Sequence, residues 1–240
     1  MRKIFIADAH LRHPEDENYC RLLAFLGQLP GTADQLYILG DLFEFWIGYP
    51  RLEFPQYAPL IAALARLRDQ GIQLVYCEGN HDFNLGEVFT RDLRATVHAG
   101  PVEQVIDGRR VYLCHGDQMN PRDYGYRLLR AALRSPPLRL LARRLPPALA
   151  VRVAGMLDRT CGAPEPGKRR HDPRRIIREF ASQRFVTGCD SVVTGHFHLP
   201  FHERLPQGEI VSLGDWIADY SYAELSAGTF SLKTFIPPAD

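Results

Sequence analysis

Short hydrophobic segments alternate with longer amphipathic ones in the first third of this chain, and polar residues follow directly after the hydrophobic segments. Residues 3–7, 36–39 and 72–77 have the length and composition of buried β-strands, and the segments between them carry apolar residues at helical spacing. Strand, helix, strand, helix, strand is the order of parallel βαβ units, in which binding groups collect beyond the carboxyl ends of the strands. The pattern therefore predicts an α/β fold with a polar site at one edge of a sheet.

Five polar motifs, each placed just after a hydrophobic run, supply that site. They are Asp8-x-His10, Gly40-Asp41, Gly79-Asn80-His81-Asp82, His115 and Gly195-His196-x-His198. Carboxylate, amide oxygen and neutral imidazole bind hard and borderline divalent cations, and two such cations about 3.5 to 4 Å apart can hold a phosphoryl group and activate a water. We therefore predict a binuclear centre bridged by Asp41. Its two sides are expected to be Asp8, His10 and His198, and Asn80, His115 and His196.

The cysteines do not belong to this ligand set. Cys77 and Cys114 lie within predicted strands, and the five cysteines of the chain include no Cys-x-x-Cys pair. A centre without thiolate argues against structural zinc and favours a redox-inert hydrolytic site. The expected cofactor is two divalent metal ions, with Mn²⁺ as the first choice and Mg²⁺, Fe²⁺ or Zn²⁺ as alternatives.

The rest of the chain divides into more strands and one helical segment. Strands are expected at residues 95–98, 102–106 and 110–114, at 191–194, and in a final meander over 201–235, with Asp107-Gly108 as a hairpin turn. Residues 121–183 have a mostly helical pattern broken by paired prolines. We therefore predict a core made of residues 1–120 and 184–240, and a helical cap or insert made of residues 121–183.

This predicted insert is strongly basic, although the whole chain has a net charge of only +1. Fifteen basic residues stand against four acidic ones between Arg122 and Arg178, and apolar side chains alternate with the arginines. Helices with this pattern lie on lipid surfaces, so we expect an anionic partner: the phosphates of a substrate and an anionic membrane surface. An ordinary helical subdomain with a solvated arginine face is the alternative. Aromatic residues are few in the segment, which argues against specific nucleic-acid binding, and no obligate protein partner is evident.

The expected location is the cytoplasm, with peripheral association at the inner membrane. An odd number of scattered cysteines fits a reducing compartment. The N-terminal apolar residues are too few for a signal peptide, and no uncharged run approaches the roughly 18 to 20 residues that a membrane-spanning helix needs.

The ordered motifs resemble those of the calcineurin-like metallophosphoesterase superfamily, which are D-x-H, G-D, G-N-H-[DE], an isolated His and G-H-x-H. The resemblance covers nearly the whole chain. It implies a four-layer αββα sandwich of two mixed sheets with a helical cap insertion, a hydrolase activity and the metal roles given above. It also implies that His81 stabilises or protonates at the scissile phosphate and that Asp82 orients His81.

A narrower set of residues is similar to the UDP-2,3-diacylglucosamine hydrolase family of lipid A biosynthesis. The similar segments are Gly40-Asp-Leu-Phe-Glu-Phe-Trp-Ile-Gly48, Asp82-Phe-x-Leu-Gly86, Asp123-x-x-Tyr126, Gly195-His-Phe-His-Leu-Pro200 and Leu213-Gly-Asp-Trp216. The similarity implies a UDP-linked acylated sugar as substrate, cleaved at its pyrophosphate under a cap that holds the acyl chains. It also implies that Asp123 and Tyr126 help to bind substrate, and we expect Arg130 and Lys168 to contribute to the same binding.

One position departs from the narrower pattern. The best-known members of that family have G-N-R-D where this chain has His81. Arginine suffices when the leaving group is a phosphate monoester, whereas a histidine also serves alkoxide leaving groups, which need a general acid. A phosphomonoester, phosphodiester or nucleotide substrate therefore stays open as an alternative. A non-enzymatic metal-binding scaffold is the least favoured reading, because the ligand set is complete.

Overall fold

The computed structural model describes residues 2–161 and 172–237 of the 240-residue chain. The α-helices within these residues are α1 (Glu17–Gly27), α2 (Ala58–Asp69), α3 (Tyr124–Leu133), α4 (Pro136–Ala142), α5 (Pro147–Cys161) and α6 (Pro173–Val186). The strands are β1 (Lys3–Ile6), β2 (Gln35–Ile38), β3 (Trp46–Ile47), β4 (Gln73–Cys77), β5 (Asp82–Phe83), β6 (Thr96–His98), β7 (Val102–Ile106), β8 (Arg109–Cys114), β9 (Ser191–Thr194), β10 (Phe201–Leu205), β11 (Gly208–Ser212), β12 (Ser221–Ser226) and β13 (Thr229–Thr234). A short 3₁₀ turn (Pro55–Tyr57) precedes α2, and a π-helical turn (Val88–Asp92) follows β5.

Two mixed sheets form the centre of the molecule. The first has the strand order β13-β12-β1-β2-β4-β6, in which β1, β2, β4 and β6 are parallel and β12 runs antiparallel to β1. The second has the order β10-β11-β9-β8-β7, with β8, β9 and β11 parallel between two antiparallel edges. Parallel strands need coverage on both faces, which is why β1 and β9 are buried along their whole length. The predicted mixed α/β fold is confirmed.

Three apolar clusters show how the sheets and helices are stacked. Between the two sheets lie buried side chains of both, and in this layer Phe5 stacks on Tyr37 with ring centroids 4.6 Å apart. α1 and α2 cover the outer face of the first sheet, where Phe25 packs against Trp216. α6 covers the outer face of the second sheet through Ile177, Ala181 and Phe185. The layers are therefore helix, sheet, sheet, helix.

The four C-terminal strands are not one meander, and that expectation is wrong. β10 and β11 pair with each other and extend the second sheet beside β9, whereas β12 and β13 extend the first sheet beside β1. The chain changes sheets between Ser212 and Ser221. Apolar periodicity marks a strand but carries no information about which distant strand it will pair with.

The described helices of the basic segment bury little. α3 and α4 have no buried residue, while α6, which also lies within residues 121–183, packs on the second sheet. The division of the chain into a core and an insert at these boundaries remains a prediction. No described helix combines the length and the apolar character needed to cross a membrane.

Candidate metal centre

Four of the predicted site residues follow strands whose carboxyl ends meet at the same edge of the two sheets. Asp8 follows β1 and Asp41 follows β2. His115 follows β8, and Asp8, Asp41 and His115 are all buried. Asp8 also links the two sheets, because its Oδ2 accepts a hydrogen bond of 2.7 Å from the backbone N–H of His196, which lies just beyond β9. The parallel strands therefore deliver the polar residues to one place, as the alternation of strands and helices predicts.

Asp41 lies between the two predicted sides of the centre. Its Oδ2 is 3.3 Å from His115 Nε2 and 3.7 Å from His10 Nε2. On the side of His10, Asp8 Oδ1 lies 4.0 Å from His10 Nε2 and 3.7 Å from His198 Nε2. Donor atoms of Asp8, His10 and His198 are close enough to one another to hold one ion.

The other side is equally compact. Asn80 Oδ1 lies 2.9 Å from His115 Nε2, and His196 Nδ1 lies 3.2 Å from the same nitrogen. Donor atoms of Asp41, His115 and His196 form a second group that can hold an ion. The structure thus brings all seven predicted ligands into one cluster, with Asp41 in contact with both halves.

The backbone of this cluster is strained. Asp8, His10, Asp41, His196 and His198 all have φ between 44° and 70°, in the left-handed region that residues with a Cβ rarely adopt. Each such residue costs on the order of 1 to 3 kcal/mol and persists only where the surroundings hold it in place. Backbone strain at five of the seven predicted ligands indicates that these residues are held in place for the function of the site and not for the stability of the fold.

Two buried polar atoms of the cluster support the fit of a cation. Asp8 Oδ1 and His10 Nε2 have no hydrogen-bond partner within the described residues. A buried polar atom without a partner is costly, and each one in a native structure needs an explanation. A carboxylate oxygen and an imidazole nitrogen facing each other are donors that a divalent cation accepts, so the residues present fit such an ion.

Glycines next to the motifs let the loops approach closely. A Cβ on Gly79 would overlap the carboxylate of Asp41, and a Cβ on Gly195 would overlap that of Asp8. Gly79 and Gly195 are therefore required at these positions, because any side chain would displace one of the two buried carboxylates.

Groups behind the imidazoles fix which nitrogen faces the centre. His115 Nδ1 donates to the carbonyl oxygen of Leu39 at 2.8 Å, so Nε2 is the nitrogen that faces Asp41 and Asn80. His198 Nδ1 lies 3.3 Å from Asp215 Oδ2, and His10 Nδ1 lies 3.6 Å from Glu44 Oε2. Imidazoles that ligate metal have their second nitrogen held in this way.

Asp215 and Glu44 are not among the site residues that the sequence motifs predict. Asp215 accepts hydrogen bonds from the backbone N–H groups of Ile217, Ala218 and Asp219, which fix its carboxylate beside His198. Glu44 is fixed in turn by an ion pair of 2.8 Å with Arg12. The available sequence signal was their place in the segments Gly40–Gly48 and Leu213–Trp216.

The charges in the cluster shift one another. Burial lowers the pKa of His115, but the negative charges of Asp41 and Asp8 outweigh burial and raise that pKa to about 10. Burial and the positive charge of His115 lower the pKa of His196 to about 4. Burial raises the pKa of Asp8 to about 6, and the charge of Asp41 acts in the same direction. Without a metal, the centre therefore holds a proton on His115 at neutral pH.

His81 and Asp82 have separate surroundings. The Nδ1–H of His81 donates to the carbonyl oxygen of Glu44 at 2.9 Å, and the ring lies edge-on to His10. The carboxylate of Asp82 accepts from the backbone N–H groups of Asp41 and Leu42 and from the Tyr76 hydroxyl. The described contacts of Asp82 thus organise the loop that carries Asp41, while the contact that orients the ring of His81 is made by Glu44.

The predicted substrate-binding residues lie on α3 or at its N-cap, except for Lys168. Asp123 caps the helix by accepting from the N–H of Tyr126, and the Tyr126 hydroxyl donates to Asp117. Arg130 forms an ion pair of 2.7 Å with the buried carboxylate of Asp117, which lies two residues after His115. Tyr126 and Arg130 therefore stand at the border of the metal centre. Lys168 lies outside the described residues.

Comparisons with known proteins give the same family as the motifs. The model of the calcineurin-like phosphoesterase family matches residues 1–200. A UDP-2,3-diacylglucosamine hydrolase of Tolumonas auensis is 32% identical over 94% of this chain and 93% of its own length. One of Escherichia coli O7:K1 is 32% identical over 98% of this chain and 99% of its own length. Among solved structures, a protein described as a novel archaeal phosphodiesterase covers 98% of this chain and 100% of its own, with a TM-score of 0.53 at 11% identity, a likeness in fold alone.

Proposed function

Because this chain belongs to the calcineurin-like phosphoesterase family, we propose that it is a metal-dependent hydrolase that cleaves the pyrophosphate bond of UDP-2,3-diacylglucosamine. The products are UMP and 2,3-diacylglucosamine 1-phosphate, an intermediate of lipid A biosynthesis. The observation that carries the proposal is the match of nearly the whole chain to hydrolases of that name, which are 32% identical to it. The cluster around Asp41 supplies the chemistry that such an enzyme needs.

We propose that the cluster holds two divalent metal ions, with Mn²⁺ as the first candidate. Asp8, His10 and His198 would hold one ion and Asn80, His115 and His196 the other, with Asp41 shared. Two divalent ions in such a site polarise phosphoryl oxygens and lower the pKa of a water. A set made of oxygen and imidazole donors is compatible with Mn²⁺, Mg²⁺, Fe²⁺ and Zn²⁺.

The protein's own groups would position the substrate and move its proton. With Nδ1–H held by Glu44, His81 has Nε2 as the nitrogen available to the scissile phosphate or to the leaving oxygen. Asp82 would act indirectly, by holding the backbone of the Asp41 loop. Asp123, Tyr126, Arg130 and Lys168 remain proposed substrate contacts. Of these, Arg130 has a defined side-chain position, because it forms an ion pair with Asp117.

The exposed apolar side chains of α3–α5 support a role in holding acyl chains. Tyr124, Leu128 and Met156 are exposed by 76%, 74% and 56%, respectively. Arginines surround them on the same helices, a combination that suits an anionic lipid surface. We propose that these helices receive the acyl chains and bring the protein to the cytoplasmic face of the inner membrane.

His81 favours a second candidate function. A histidine at this position can protonate an alkoxide leaving group, which a phosphate leaving group does not require. A binuclear phosphoesterase acting on a phosphomonoester, a phosphodiester or a nucleotide is therefore the alternative. A non-enzymatic scaffold is not favoured, because all seven ligand side chains lie together.

Turnover of the lipid nucleotide tests the proposal. Purified protein loaded with Mn²⁺ should release UMP and the lipid monophosphate, identified by mass, and the Asp41→Asn variant should lose at least 100-fold in rate. The matched control is Asp69→Asn, which changes an exposed aspartate on α2. Hydrolysis of simple phosphate esters without any cleavage of UDP-2,3-diacylglucosamine would contradict the assignment of substrate.

A further inference from the structure

A cavity of about 200 Å³ lies on the outer face of the second sheet, outside the cluster described above. β8, α6 and the start of α3 form its walls, and we call it the β8–α6 cavity. The lining residues that matter here are Tyr112, Gly116, Asp117, Arg127, Phe180 and Arg184. At roughly 30 Å³ per water, the space suits one flat ring with its polar substituents.

Arg184 is the most unusual member of this lining. Its guanidinium lies 5.0 Å from the ring centre of Tyr112 and 4.8 Å from that of Phe180. Its Nε is buried without a hydrogen-bond partner among the described residues, and no described carboxylate pairs with it. A guanidinium has donors only, and Arg184 lines the cavity, so the cavity offers N–H groups to an acceptor, next to two aromatic rings.

Arg127 gives the cavity a second positive charge. It lies in the first turns of α3, and its side chain forms no ion pair in the described part of the chain. The carboxylate in the lining, Asp117, is already bound by Tyr126 and Arg130. The charge available to a ligand is therefore positive, which favours an anionic molecule with an aromatic ring.

The cavity adjoins the metal centre through Gly116. This residue follows His115 directly, and a Cβ on it would contact the side chain of His196. One wall of the β8–α6 cavity is thus the back of the loop that carries His115, and this loop touches the one that carries His196. Asp117, the next residue, also lines the cavity, so the cavity lies beside the segment that directly follows His115.

We propose that the β8–α6 cavity binds the uracil base of the nucleotide half of the substrate, with Arg127 near the phosphate attached to the ribose. This inference rests on the proposed function. The N–H groups of Arg184 donate to the uracil O4 carbonyl oxygen, and the rings of Phe180 and Tyr112 border the base. Cytosine has an amino donor in place of the uracil O4 acceptor, so its edge matches Arg184 less well.

Binding of UMP, CMP and inorganic phosphate to the Mn²⁺-loaded protein, measured by calorimetry, tests this site. Phosphate has no base and reports the metal centre alone. UMP should bind more tightly than CMP, and Arg184→Gln should weaken UMP binding about tenfold, the effect expected from loss of one hydrogen bond to a charged group. Arg184→Lys should weaken it also, because lysine keeps the charge but not the planar group.

The matched control is Arg174→Gln. Arg174 lies on the same helix and also covers an aromatic ring, that of Phe201, but it does not line the cavity. Its replacement should leave UMP affinity unchanged, and melting temperatures would verify that each variant is folded. Arg127→Gln provides a second test and should weaken UMP binding in the same direction.

Two results would overturn the inference. One is a wild-type protein that binds UMP no more tightly than inorganic phosphate, and the other is equal UMP affinity in wild type, Arg184→Gln and Arg127→Gln. The proposed function is judged separately, by cleavage of UDP-2,3-diacylglucosamine. Cleavage without any effect of the arginine variants would reject the uracil site alone, and absence of cleavage would reject the substrate itself.

Discussion

The imidazole of His81 is held by a hydrogen bond of 2.9 Å from its Nδ1 to the carbonyl oxygen of Glu44. This contact uses the backbone, so it survives replacement of the Glu44 side chain. It also fixes Nδ1 as the protonated nitrogen of the neutral ring, because a carbonyl oxygen can only accept. The role of His81 then depends on whether the leaving group needs a proton.

Replacement of His81 by arginine separates the two candidate functions. A pyrophosphate substrate expels a phosphate monoester, so His81→Arg should change kcat/KM for UDP-2,3-diacylglucosamine by less than about tenfold. An alkoxide leaving group depends on general acid catalysis, so the same change should cost about 10² to 10⁴-fold there. Steady-state rates on both substrates provide the measurement, and equal losses on both would remove the proposed distinction.

At the scale of residues, the sequence predicted the ligand cluster but not the residues that orient the ligand side chains. Asp8, Asp41 and His115 could be found because each follows a hydrophobic strand in a recognisable motif. Asp215 could not be assigned, because its carboxylate is placed beside His198 by a loop joining two different sheets. Likewise, the orientation of His81 by Glu44 depends on a contact between two loops.

At the scale of elements, α3 is attached to the site by two ion pairs. Arg130 pairs with Asp117, and Arg134 pairs with Glu78 at 2.6 Å. Arg134 also donates to the carbonyl oxygen of Gly79, which precedes Asn80 in the proposed ligand loop. α3 has no fully buried residue, and its apolar contact with the core is made by the partly buried Leu133, so these polar contacts help to fix its position relative to the metal centre.

Removal of Arg134 should therefore affect both stability and activity. Arg134→Met leaves the buried carboxylate of Glu78 without its cation, which costs about 3 to 5 kcal/mol when a buried pair is broken. Urea unfolding would measure the loss, and the double variant Glu78→Gln/Arg134→Met should recover part of it. Arg139→Met is the control, because Arg139 is exposed on α4 and pairs with no described carboxylate. Equal stability of the Arg134 and Arg139 variants would contradict this account of α3.

Strand positions were predictable, whereas sheet membership was not. The strands between Lys3 and Cys114 lie within one or two residues of their predicted bounds. The exceptions are the two short strands β3 (Trp46–Ile47) and β5 (Asp82–Phe83), which pair with each other and are not predicted. Local periodicity defines such strands. Pairing of β12 with β1 joins residues more than 200 positions apart, and no local pattern encodes it.

At the scale of the whole molecule, folding assembles a site that is charged before any metal binds. The negative charges of Asp41 and Asp8 outweigh burial and raise the pKa of His115 to about 10, so this imidazole is protonated at pH 7.5 in the metal-free protein. A metal ligand must be neutral imidazole. Loading with Mn²⁺ should consequently release about one proton per protein.

Calorimetry in two buffers with different heats of ionisation measures this release. For one released proton, the apparent heats of Mn²⁺ binding in the two buffers should differ by about the difference between the buffers' heats of ionisation. The affinity for Mn²⁺ should rise with pH below the pKa of His115. His196 should contribute little to the proton release, because burial and the positive charge of His115 lower its pKa to about 4 and its imidazole is already neutral. Identical heats in both buffers would mean that His115 is neutral beforehand.

The most direct test of the centre is a crystal grown with Mn²⁺ and measured at the manganese absorption edge. We predict two anomalous peaks about 3.5 to 4 Å apart. One should be bound by Asp8, His10 and His198 and the other by Asn80, His115 and His196, with Asp41 touching both. Peaks remote from Asp41, or no peak among these seven residues, would contradict the account.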